Sequence, residues 1–146
     1  MANATLDLAD PRQARIAARL VEEEYAYLTT VRPNNSPHTV PICFVWDGTV
    51  IYIFAQPESV KCRNLRQNPH VSLAIFFRGV MGPENMTIVV EGEGELIEEP
   101  GVSFLMPANI AKYTPLAERL GASLEKLALY YSQTIRVTPS RFRQDE

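Results

Sequence analysis

"HTVPICFVWDGTVIYIFA", His38 to Ala55, divides into two runs around one turn signal. Both runs are rich in β-branched and aromatic residues, which suit a pleated, partly buried surface. Asp47-Gly48 is a favoured pair for a type I′ hairpin, so the stretch predicts antiparallel strands over 38–46 and 49–55. In the first run Ile42, Phe44 and Trp46 alternate with Pro41, Cys43 and Val45, which leaves no polar face. An antiparallel sheet ordinarily turns one face to water, so these strands must be covered on both sides.

The same composition recurs outward from the hairpin. "YAYLTTV" (25–31) precedes it across "RPNNSP", where Pro33 and two asparagines signal a turn. "HVSLAIFF" (70–77), "MTIVVEGEGELIEE" (86–99) and "QTIRVT" (133–138) follow, with Gly92 and Gly94 as candidate bulge or bend positions and a polar tail after 138. Six strands around one core predict a mainly β (α+β) domain, a small antiparallel barrel whose interior takes one apolar set. The outer set needs other cover. A second copy in a symmetric dimer is the preferred expectation, and cover by the chain's own helices is the alternative.

Helical signals flank the strands. Asp10-Pro11 is an N-cap with proline at the first helical position, and Ile16, Ala17, Leu20 and Val21 form one apolar face, predicting a helix over 11–24. Between Pro100 and Ser132 the period becomes helical again, with Thr114-Pro115 and Ser123 as caps and Gly121 as a break. No repeat or linker divides the 146 residues, so a single domain over 1–146 is expected.

Composition excludes several classes. A net charge of −3 argues against a nucleic-acid binder, which needs a broad basic face to release counterions. No basic start followed by an apolar core opens the sequence, and no apolar run approaches the ~18 residues of a membrane span. A cytoplasmic protein without a membrane partner is expected. Cys43 and Cys62 fit no zinc spacing and are read as reduced thiols.

Against this acidic background "PESVKCRNLRQNP" (57–69) carries Lys61, Arg63 and Arg66 with no acid after Glu58. Ser59 stands where a helix N-cap would, Lys61 adds a point charge, and Asn64 offers an amide, a set suited to a phosphate. The alternative is the solvated face of a helix whose Leu65 packs inward. Glu91, Glu93 and Glu95 share one strand face and read as solvated, with no histidine near them. His38 and His70 have no second ligand at metal spacing, so no metal site is expected. Cys62 near a helix start beside cations has conditions that lower a thiol pKa, but no paired base accompanies it. Tyr113, Tyr130 and Tyr131 read as core or interface residues.

Taken together, "YLTTVRPNNSPHTVPICFVWDGTVIYIFAQPESVKCRNLRQNPHVSLAIF", "IVVEGEGELIEEP" and "IRVTPSRFR" resemble the pyridoxamine 5′-phosphate oxidase-like split-barrel flavoproteins, including their deazaflavin-dependent relatives. The resemblance implies a six-stranded split β-barrel that forms a homodimer, with a cofactor in each of two clefts at the subunit interface. It implies that His38 to Ile42 runs beside the cofactor ring, with backbone contacts through Thr39, Val40 and Pro41. Phe54 and Ala55 match the strand end near the ribityl chain, and Ser59, Lys61 and Asn64 match the phosphate-binding segment.

Two departures bear on the substrate. Ser59-Val60-Lys61 stands where pyridoxamine phosphate oxidase proper has Ser-Arg-Lys, and the chain ends soon after Arg141, without a longer segment holding substrate arginines. The expectation is therefore an FMN-binding oxidoreductase that transfers hydride to or from an unidentified small molecule. A reductase using the deazaflavin coenzyme F-420 is the first alternative. A non-catalytic flavin- or haem-binding module is the second, with His38 and His70 as the only histidines available to a haem. A ligand-free dimerisation domain is the third.

Overall fold

In the computed structural model of the chain, which describes residues 3–76, 79 and 82–145, Asp10 caps the first helix as its sequence predicts. Its carboxylate accepts from Arg12 N at 3.1 Å and Pro11 opens α1 (Pro11–Glu22), which ends two residues earlier than expected. The strands are β1 (Tyr25–Val31), β2 (Pro37–Trp46), β3 (Ile51–Ala55), β4 (His70–Ile75), β5 (Thr87–Ile97) and β6 (Gln133–Asp145). A short helix, α2 (Val60–Leu65), joins β3 to β4, while α3 (Pro107–Arg119) and α4 (Leu124–Tyr130) fill the predicted helical stretch before β6; Ser123 caps α4, but Thr114-Pro115 is no cap, because Pro115 lies inside α3 and Met106 holds its N-cap position.

All neighbouring strands pair antiparallel, and the order β1-β2-β3-β6-β5-β4 closes back on β1 as a barrel. Inward residues fill it. Leu28, Phe44, Ile53 and Val90 retain no exposed surface, and each such burial contributes about 1.5–3 kcal/mol. α1 closes one end with Ile16 and Leu20.

Other local expectations need correction. The hairpin between β2 and β3 is not a two-residue turn: it spans 47–50, and Asp47 Oδ1 accepts from both Thr49 N and Val50 N at 2.8 Å. Aspartate can build its own turn by taking up these amides, and that wins over the tighter hairpin. The tail after 138 is not a tail. β6 runs on to Asp145 and pairs with β5, because Pro139 sits at a bulge where no ladder amide is required. Glu91 faces Arg141 while Gly92 faces Pro139, leaving Ser140 as the extra residue, with its Oγ on Glu91 O at 3.1 Å. The fourth strand ends at Ile75; Phe77, expected as its last residue, lies outside the described residues.

Gly92 is needed at the bulge, since a Cβ there would fall 2.3 Å from Thr138 O. Gly94 marks no bulge. It lets α2 approach the barrel, and a Cβ would meet Leu65 Cδ2 at 3.1 Å.

The outer apolar set is covered in part by the chain itself. Val45 and Phe54 pack under Phe104, Tyr113, Leu116 and Leu124 from the α3–α4 stretch. Over β1 and the end of β4 that cover stops: Tyr25 and Tyr27 are half exposed and Phe76 more so.

Candidate functional site

The basic segment folds as α2, and its burial pattern sorts the three cations. Cys62 is fully buried, with Asn64 and Leu65 nearly so, and these three turn the helix onto the barrel. Arg63 and Arg66 are exposed, and Arg66 Nη2 donates to Pro57 O at 3.1 Å. For the two arginines the solvated-face reading is right. Lys61 is different. It is half-buried and turned into a cavity, and that burial lowers its pKa. Among the described residues no carboxylate lies within ion-pair distance of it.

Ser59 occupies the N-cap position of α2, but its hydroxyl makes no capping bond, and its Oγ is shielded from solvent with no hydrogen-bond partner. A buried hydroxyl left in that state costs about 1–3 kcal/mol. With only six residues α2 has a small dipole, so any attraction for an anion rests on Lys61 and Ser59. Asn64 needs correction as an anion donor: its Nδ2 donates to Thr30 Oγ1 at 2.9 Å, and the side chain is 4% exposed. It holds α2 on β1 instead. Cys62 likewise is a core residue, packed away from solvent among the barrel's apolar side chains.

The cavity that Lys61 enters has a volume of about 210 Å³ and lies where β2, β3 and α2 meet the α3–α4 stretch. Of the ten residues singled out in the sequence, Pro41, Ile42, Phe54 and Lys61 line it. His38, Thr39 and Val40 continue along β2 beyond it, and Thr39 Oγ1 pairs with Thr29 Oγ1 at 2.8 Å. Ala55 is fully buried in the barrel. His38 is near enough to Lys61 to feel its charge. Burial first, then Arg32 and Lys61, lower its pKa, so its ring is neutral at pH 7, with a buried Nδ1 that has no partner.

Sequence reading missed the rest of the lining. Tyr25 and Cys43 stand beside Pro41, and strand alternation would have found Cys43, which shares Pro41's face two residues on. Phe104, Leu116, Leu127 and Tyr131 complete the wall, and Leu120 forms its exposed rim. In sequence they look like any helical core stripe. Phe104 stands 4.9 Å from Phe54 and 6.1 Å from Tyr131 between ring centroids, an aromatic cluster that stiffens the wall.

Tyr113 anchors this wall. Its hydroxyl accepts from Phe44 N at 2.9 Å and faces Glu24 O at 2.7 Å and Phe44 O at 2.6 Å. Lys112 Nζ donates to Phe44 O at 3.0 Å and lies 4.1 Å from the Phe44 ring centroid, and burial pushes its pKa down to about 8. The Glu91, Glu93 and Glu95 face carries ion pairs to β6: Glu95 with Arg136 at 2.8 Å and Glu91 with Arg143 at 3.5 Å. Among the described residues no group of three or more His, Cys, Asp and Glu is placed to hold a metal ion, and no helix is long and apolar enough to cross a membrane.

A family profile described as pyridoxamine 5′-phosphate oxidase matches residues 13–144. No curated protein matches the chain. Among solved structures, an F420 reductase is 25% identical, with a TM-score of 0.63 over 86% of this chain and 94% of its own. HutZ, the haem storage protein from Vibrio cholerae, is 19% identical, with a TM-score of 0.64 over 90% of this chain and 92% of its own. An FAD-binding protein from Mesorhizobium loti is 16% identical, with a TM-score of 0.62 over 88% of each chain. The last two likenesses speak for the fold alone.

Proposed function

The chain belongs to the pyridoxamine 5′-phosphate oxidase family, and from that premise we propose that it is an FMN-binding oxidoreductase acting on a small molecule. One observation carries the reading: a half-buried Lys61, without an ion-pair partner among the described residues, on a cavity that also takes in Pro41, Ile42 and Phe54, with the unsatisfied Ser59 hydroxyl two residues before it in the chain. A cofactor phosphate would meet both needs, since a charge-assisted hydrogen bond supplies what burial has taken from the ammonium. The residues present therefore fit an FMN.

Lys61 and Ser59 would hold the phosphate, with Asn64 and Thr30 fixing the helix that presents them. The 38–42 part of β2 would flank the ring, with neutral His38 at its far end. The ring supplies hydride transfer when bound, so the protein's task is to orient it and exclude water. Few catalytic side chains are required for that.

The cavity in one chain is smaller than the ~300–1,000 Å³ usual for a ligand pocket. Half-exposed Tyr25 and Tyr27 and exposed Phe76 continue from it over β1 and β4. A second copy seated on that face would cover the tyrosines and enlarge the cleft, which supports a homodimer with its cofactors at the interface. Light scattering should give twice the chain mass, and Tyr27→Arg should yield monomer; a monomeric wild type would refute the shared cleft.

The deazaflavin coenzyme F-420 is the second reading, favoured by the 25% identity to an F420 reductase. Absorption spectra of the protein after loading with each cofactor and dialysis separate the two. Retained FMN absorbance supports the first reading, and retention of only the deazaflavin supports the second. Retention of neither removes both in favour of a haem-binding or ligand-free module.

A further inference from the structure

Among the described residues, Lys61 is the only charged side chain lining the cavity. If it is committed to the cofactor phosphate, the remaining wall offers a substrate no counter-charge. Across the cavity from Lys61 and the β2–β3 residues that wall is Phe104, Leu116, Leu127 and Tyr131, with Leu120 at the rim. The cavity's titratable groups other than Lys61, namely Tyr25, Cys43 and Tyr131, are neutral at pH 7. Burial raises the pKa of the Tyr25 and Tyr131 phenols and pushes the Cys43 thiol up to about 11.

We infer that the α3–α4 wall selects an uncharged, flat, apolar molecule as the substrate, and that Phe104, Leu127 and Tyr131 are its specificity-determining residues. The inference rests on the flavin reading for the commitment of Lys61. Two physical arguments lead to it. An ionised group placed against this wall would lose its hydration with no partner to replace it, a penalty that an uncharged analogue escapes. The tilted ring faces of Phe104 and Tyr131 favour a planar ligand, which can stack or meet them edge to face. A second phosphate, such as that of a vitamin B6 substrate, finds no cation on this wall.

The test uses the matched pair 2-naphthamide and 2-naphthoate, which differ in charge at constant shape, measured by equilibrium dialysis against full-length protein loaded with FMN. The amide should bind at least tenfold tighter than the carboxylate. Leu120→Glu should weaken the amide at least tenfold while FMN stays bound; Leu120 is 63% exposed, so the fold tolerates the change. Leu129→Glu, at an 81% exposed position of α4 outside the cavity, should leave binding unchanged. Equal or tighter binding of 2-naphthoate, binding of neither probe, or indifference to Leu120→Glu overturns the inference. So does release of FMN by the amide, which would make the wall part of the cofactor's own site. If no flavin is retained, the functional reading fails by itself. The flavin-free Lys61→Ala protein, in which the cavity's counter-charge is gone, then still reads the wall: amide binding at least tenfold tighter than that of 2-naphthoate, which Leu120→Glu weakens and Leu129→Glu spares, upholds it, and any other pattern refutes it.

Discussion

Asn64 Nδ2 donates a 2.9 Å hydrogen bond to Thr30 Oγ1, with Thr30 fully buried and Asn64 4% exposed. Through this bond a helix of only six residues, too short to hold its shape alone, is fastened to β1. The position of Lys61 depends on it.

Thr30→Val keeps the shape of the side chain but leaves the buried Asn64 amide without its acceptor. The cost should be about 1–3 kcal/mol, read as a lower midpoint in urea unfolding. FMN affinity should fall as well, because α2 presents Lys61 and Ser59. An unchanged midpoint would show that the bond is not what secures α2.

Lys61→Ala should separate binding from folding. Loss of a charged hydrogen bond to phosphate should weaken FMN by about 1.5–3 kcal/mol in a fluorescence titration. The flavin-free protein should be no less stable than wild type, since an ammonium that burial already penalises has been removed. A variant that binds FMN normally would place the phosphate elsewhere.

Lys112 should give the protein a rising stability in mild alkali. Its folded-state pKa is down to about 8, against an ordinary 10.5, so between those values the unfolded chain binds more protons than the folded one. Stability therefore increases with pH through that window. Cys43, pushed up to about 11 from an ordinary 9, contributes the opposite slope above pH 9. The clean interval is pH 8 to 9, where Lys112 should add up to about 1 kcal/mol. In Lys112→Met that increment should disappear from denaturation curves taken at the two pH values, and an identical slope in both proteins would argue against the shift.

Gly92→Ala and Gly94→Ala should differ in cost. At Gly92 the new methyl would fall 2.3 Å from the backbone oxygen of Thr138, and neither strand can yield without losing the bulge. The loss should be about 3 kcal/mol or more. At Gly94 the obstruction is the flexible end of Leu65, 3.1 Å away, so about 1 kcal/mol is expected. Thermal melts of the two variants check the order.

The strands and the first helix share one cause. Alternation over 38–46 and the Asp10-Pro11 cap are interactions within a few residues of chain, so they are legible as spacing. The continuation of β6 past Pro139 was not, because whether a proline breaks a strand depends on the partner opposite it, here Gly92 on β5. The basic segment was half legible. Composition placed Lys61, Arg63, Asn64 and Arg66 together, yet the seating of α2 on the barrel sends Asn64 inward to Thr30, Lys61 to the cavity and both arginines to water.

The wall facing Lys61 comes from Phe104, Leu116, Leu127 and Tyr131, at least 43 residues further along the chain, and only their packing over the outer face of β2 and β3 brings them beside Pro41 and Phe54. Local propensity and hydrophobic alternation are encoded between near neighbours, so they reached the page with the sequence. Which charge is desolvated, and what stands against it, are properties of three-dimensional burial, and no spacing along the chain carries them.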